Sequence, residues 1–111
     1  MPFDLTSPFT LWESTGVRLL HVTHPSGFDH DTGSLHPERP ARLRAVYQGV
    51  AQSGVEKLEV QAEPLDRRQL TTVHDPAYVE AIRRFCAAGG GNLDADTPVS
   101  EGSWDAALAA A

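Results

Sequence analysis

Two short apolar runs bracket a segment with helical periodicity, and that order limits the folds open to this chain. Val17 to Thr23 (VRLLHVT) is rich in branched residues and is bounded by Gly16 and Pro25. It predicts a buried strand. Leu43, Val46, Tyr47 and Val50 follow at i, i+3, i+4, i+7, the signature of one apolar helical face. Pro37 can open that helix, because a proline at the first position loses nothing by lacking an N–H, and Gly54 can stop it. Val55 to Ala62 (VEKLEVQA) then alternates at Leu58, Val60 and Ala62, as a half-buried strand does. Strand, helix, strand in this order predicts parallel strands joined by a right-handed crossover. The class is α/β.

The remainder continues the pattern without repeats. A short helix is predicted over Asp66 to Val73. Asp75 and Pro76 form a cap and first position for another, with Val79, Ile82, Phe85 and Cys86 on its apolar side and Gly89, Gly90 and Gly91 ending it. Asn92 to Pro98 reads as a loop carrying Asp94 and Asp96. A last helix is expected from about Ser100, with Trp104, Ala107, Leu108 and Ala111 on one face. It reaches Ala111 without a stop signal, so the expectation is a chain cut inside an element. Residues 1–16 have no period and read as an irregular arm, with Phe3, Phe9, Leu11 and Trp12 free to pack. At 111 residues the chain suffices for one small domain.

Charge and cysteine content exclude several functions. The net charge is -6, and one Lys (Lys57) stands against eight Arg. Arg39, Arg42 and Arg44 cluster, but Asp29, Asp31 and Glu38 accompany them. No basic patch remains, which argues against direct nucleic-acid binding. An acidic surface suits cationic substrates through long-range attraction. Cys86 is the single cysteine, so neither a disulfide framework nor a cysteine zinc site is available. Its place on a helix's apolar side marks it as core. The sequence offers no apolar run long enough for a bilayer, and its start lacks a signal peptide's positive region. These features predict a cytoplasmic protein outside the membrane.

Four histidines, His21, His24, His30 and His36, fall within sixteen residues. A zinc site is the obvious chemistry for them. Their spacing opposes it. His21 and His24 point to opposite faces of a strand, and His30 and His36 lack the i, i+4 partner of a helical chelate. The alternative is that they hydrogen-bond loop backbone and nearby carboxylates. Asp94 and Asp96 could bind a divalent cation, but only Glu101 lies near to add oxygen ligands, so turn formation is the other reading. No serine sits in a nucleophile elbow, and the triple glycine lacks the Lys and Ser/Thr of a phosphate loop. In His36–Pro40 (HPERP), two prolines stiffen a helix start, and Glu38 is expected in its first turn, where negative charge suits the dipole. Arg39 held there could grip a small carboxylate with both arms of its fork, or simply pair with a neighbouring Asp or Glu.

HDTGSLHPERPARLRAV, following a strand that ends in T-H-P, resembles the start of bacterial and class II-like histone deacetylases. That superfamily also holds acetoin-utilisation proteins and acetylpolyamine amidohydrolases. TTVHDPAYVEAI and LDADTPVSEGSWDAALAAA resemble later segments of the same family, in the same order, so the likeness runs from Val17 to Ala111. The resemblance implies the N-terminal part of an arginase-like three-layer α/β/α fold with parallel strands, as an incomplete domain over 17–111. It implies zinc-assisted hydrolysis of an acetamide, in acetylated proteins or small acetylated amines. It assigns Arg39 to an internal channel through which acetate leaves, and Asp96 to the substrate rim. His30, Asp31, His36 and Glu38 become supports for the site floor. The family's paired catalytic histidines and D-x-H zinc ligands have no counterpart in this sequence. The chain alone is therefore expected to bind no zinc and to be inactive.

Three functions stand open from the sequence. The chain is part of a metal-dependent deacetylase, or a non-catalytic module derived from one, or a small metal-binding domain built on the histidines. An open apolar face at Trp104 and Leu108 would favour self-association.

Overall fold

The structure, a computed structural model, describes residues 18–111. The arm expected over 1–16, and Val17 of the first strand, lie outside the described residues. Strand β1 spans Arg18–Thr23 and strand β2 spans Glu56–Gln61. They pair in parallel with Leu20 opposite Leu58 and Val22 opposite Val60. Between them lie a 3-10 turn, Pro25–Asp29, and helix α1, Pro40–Gln52. The strand–helix–strand unit is therefore present.

Helix α1 begins at Pro40, three positions later than the expected start at Pro37. The cause is the second proline. A residue before proline is driven out of the helical region, and Arg39 is extended at φ -137°, ψ 161°. Arg39 is thus the N-cap, and Glu38 lies outside the first turn, which holds no acidic residue. Glu38 still reaches the helix through its 2.9 Å bond to Arg42, an i, i+4 pair.

Strand β1 is not the buried strand expected. Its residues alternate in exposure, with Leu20 61% and Val22 52% exposed. Helix α1 covers the opposite face, where the Tyr47 and His21 rings meet edge-on at 5.0 Å. Leu20, Val22, Leu58 and Val60 therefore share a face that no described element covers.

The second half packs around α3, Pro76–Ala87, and α4, Ser103–Ala110. Asp75 caps α3 by accepting from the Ala77 amide at 2.7 Å, with Pro76 in the first turn as expected. The helix expected over Asp66 to Val73 is only α2, Arg67–Leu70, held by a capping box between Asp66 and Gln69. The loop expected over Asn92 to Pro98 contains a small antiparallel pair, β3 (Gly91–Asn92) with β4 (Pro98–Val99). Gly90, at φ +77°, lets the chain turn there, since a Cβ would stand 2.2 Å from the Val99 carbonyl oxygen. Among the described residues, the apolar side chains buried outright are Val79 and Cys86, both on α3. Among the described residues no helix is long and apolar enough to cross a membrane.

Candidate functional site

The 3-10 turn packs against α4 and, through Gly27, against Leu43 of α1. A cleft of about 320 Å³ lies where these elements meet. Its polar side carries His30, Glu38, Arg39, Arg42 and Ser103, and its apolar side is built from Leu43 and the alanines of α4. The Ala-rich face of α4 keeps the cleft open because it fills little of the space between the helices.

Arg39 reaches this cleft from the cap position of α1. One Nη1 hydrogen goes to the Ser34 carbonyl. Arg42, by contrast, is paired with Glu38 at 2.9 Å. Among the described residues no carboxylate pairs with Arg39, so the neighbour expected to neutralise it is taken by Arg42. The guanidinium keeps donors to offer a planar anion.

The wall of the cleft is fixed by a seam of hydrogen bonds between the loop and the start of α4. The Ser100 hydroxyl donates to the Asp29 carbonyl and accepts from the Asp31 amide, both at 3.0 Å. Ser103, buried at 6% exposure, accepts from the Ser100 amide at 2.7 Å and meets His30 Nδ1 at 2.7 Å. Gly102 lies so close to Asp29 that a Cβ would stand 2.4 Å from its carbonyl oxygen. The last helix starts at Ser103, three positions after Ser100: the Ser103 amide turns back to the Ser100 carbonyl at 3.0 Å, an i, i+3 bond, and the Ala106 amide bonds the Gly102 carbonyl at 3.2 Å. Ser100, Gly102 and Ser103 were absent from the residues picked out by sequence. Their S-x-G-S spacing was the only signal.

The histidines divide among separate tasks. His24 Nδ1 accepts from the Ser26 amide at 3.1 Å and caps the 3-10 turn. His36 Nδ1 accepts from the Glu38 amide at 3.0 Å, which leaves Nε2 to donate to the Asp96 carbonyl at 3.2 Å. His21 Nδ1 is buried without a hydrogen bond, and its nearest carboxylate oxygen, on Glu59, is 3.6 Å away, longer than a hydrogen bond. Backbone groups and hydroxyls, more than carboxylates, occupy this cluster. Among the described residues no group of three or more His, Cys, Asp or Glu side chains could hold a metal ion. The described residues therefore gather no zinc ligand set.

The other expected residues, Asp31, His36 and Asp96, do not line the cleft. Asp31 accepts from the Gly33 amide at 2.9 Å and lines an adjoining groove with Arg39. Asp96 is tied in by its backbone, through His36, and its residue is exposed. Asp94 forms the turn. The Thr97 hydroxyl, with the Asp96 amide, holds its carboxyl below the ordinary range. Glu80 bonds Arg83, Arg67 and Arg84, which hold its carboxyl well below the usual value. None of these four residues lines the cleft.

A parallel strand pair with its crossover helix, and a cleft beside that helix, define an α/β unit. The histone deacetylase domain family matches residues 36–111, and the chain belongs to that family. It is 38% identical over 84 residues to an uncharacterized protein of Synechocystis, covering 70% of this chain and 27% of that protein. It is 28% identical over 99 residues to a histone deacetylase-like amidohydrolase of Pseudomonas aeruginosa, covering 87% of this chain and 26% of the relative. The crystal structure of the HDA15 HD domain superposes with a TM-score of 0.73 at 26% identity, over 85% of this chain and 29% of that one. The chain thus spans about a quarter of the length of the curated relatives it matches.

Proposed function

We propose that this chain supplies the anion-binding wall of an acetyl-amide hydrolase, in which Arg39 receives the acetate released. The observation that carries this is Arg39 itself: it lines a half-open cleft, and among the described residues no carboxylate neutralises it. Family membership and the similarity to an amidohydrolase support the reaction class. The zinc expected of such an enzyme would be held by residues other than those described. Acetylated proteins and small acetylated amines both remain open as substrates. A cytoplasmic setting accords with the free thiol of Cys86.

What these residues do is bind and orient. The Arg39 fork offers two parallel N–H donors to a carboxylate, and the alanines of α4 and Leu43 face the methyl end. Glu38, neutralised by Arg42, does not repel the anion. Calorimetric titration of the chain with acetate tests this. Saturable binding that Arg39→Gln weakens at least tenfold is expected. Equal binding in the two would refute it. The alternative, a non-catalytic module, is favoured by the uncovered sheet face at Leu20 and Leu58, and predicts no acetate binding.

A further inference from the structure

Ser103 does more than cap a turn, because its hydroxyl has one proton and three neighbours. The Ser100 amide can only donate to it, at 2.7 Å. The Ser103 proton must then go either to His30 Nδ1 at 2.7 Å or to the Ser100 hydroxyl at 3.3 Å. The first is a full hydrogen bond and the second is beyond the ordinary range for two hydroxyls. The Ser100 hydroxyl also has its own acceptor in the Asp29 carbonyl and its own donor in the Asp31 amide. The network is satisfied with every short contact used when Ser103 donates to His30. A neutral imidazole that accepts at Nδ1 carries its proton on Nε2. Among the described residues Nε2 of His30 has no hydrogen-bond partner, its Nδ1 being the ring nitrogen that meets Ser103. His30 lines the same cleft as Arg39.

We propose that Ser103 is a positioning residue that fixes His30 as the Nε2–H tautomer, so that the cleft presents an imidazole N–H beside the Arg39 guanidinium to a small carboxylate. This rests on the acetate reading for its use, and on the hydrogen-bond geometry for its existence. A neutral donor adds a directed bond without a second positive charge. The cleft would then prefer a planar monoanion that spans two donors, acetate or formate, over a spherical one such as chloride.

The test is nitrogen NMR of the His30 ring in the isotopically labelled chain, with and without acetate. The neutral ring is expected with an acceptor-type Nδ1 and a protonated Nε2, and acetate is expected to shift Nε2. Ser103→Ala should leave the two tautomers mixed and weaken acetate several-fold, while Ser103→Thr should restore both. A protonated Nδ1 in the neutral ring of the unsubstituted chain overturns the proposal, and that readout does not depend on whether the alanine variant folds. A tautomer unchanged in a folded Ser103→Ala variant overturns it as well. If the tautomer behaves as stated but acetate binds nowhere, the acetate reading fails and with it the donor role, while Ser103's control of the ring stands on the tautomer result.

Discussion

Replacing Gly102 by alanine puts one methyl group into the seam between the loop and α4. The added carbon would stand 2.4 Å from the Asp29 carbonyl oxygen, 2.6 Å from Asp29 Cβ and 2.9 Å from its carbonyl carbon. The neighbours are largely backbone, so no flexible tip can swing aside. Backbone conformation is not the obstacle, because Gly102 has φ -73°. Relief requires the loop and helix to part by roughly 1 Å, and overpacking of this kind costs about 1–3 kcal/mol. The same movement stretches the two 3.0 Å bonds of the Ser100 hydroxyl to Asp29 and Asp31, each worth about 1 kcal/mol. The expected loss is about 3 kcal/mol, a fall in melting temperature on the order of 10 °C. Gly49→Ala is the control: it lies inside α1 with nothing within 4 Å of the new carbon, and should stabilise by about 0.5–1 kcal/mol. Urea denaturation of the purified chain measures both. If Gly102→Ala and Gly49→Ala shift stability alike, the seam is not a close packing.

Stability should fall on acidification. Asp66, held down by the Arg68 amide and then its side chain, has its folded value below the ordinary carboxylate range, as do Asp94 and Glu80. Their contribution is present above that range and is lost as pH drops through the depressed folded values, so melting temperature followed down from neutral pH should decline; a flat profile contradicts it. Burial pushes the Cys86 thiol up, and its side chain is 1% exposed. A thiol reagent should react slowly in buffer and rapidly in denaturant, and equal rates would show that α3 and α4 do not pack as described. Leu58→Glu, at a position 65% exposed on the uncovered sheet face, should reduce self-association more than Leu108→Glu, measured by sedimentation. The reverse order would make the Trp104–Leu108 face the contact.

Periodicity made the backbone plan legible. The parallel pair, the crossover helix and the cap at Asp75 all follow from local patterns that tertiary contacts did not override. The start of α1 was also written in the sequence, but in Pro40 and its effect on Arg39, not in Pro37. Burial was less legible. VRLLHVT is apolar on both faces, and its composition cannot tell which face finds a partner; α1 takes the His21 face and leaves Leu20 and Val22 open. The part of the site nearest the motif, Arg39 with Glu38 and His30, came together in one cleft. The rest depended on contacts some seventy residues apart, such as His30 with Ser103, which no local spacing encodes.

Acetate titration followed by NMR tests the central claim most directly, because it reports where the anion sits as well as whether it binds. The Arg39 side-chain N–H resonances are expected to move saturably, together with amides of the loop and the first turn of α4, and chloride at the same ionic strength is expected to leave them in place. Arg39→Gln should abolish the response while leaving the remaining spectrum intact. Acetate shifts that map instead to the Arg67–Glu80–Arg84 surface, or that persist in Arg39→Gln, would contradict it.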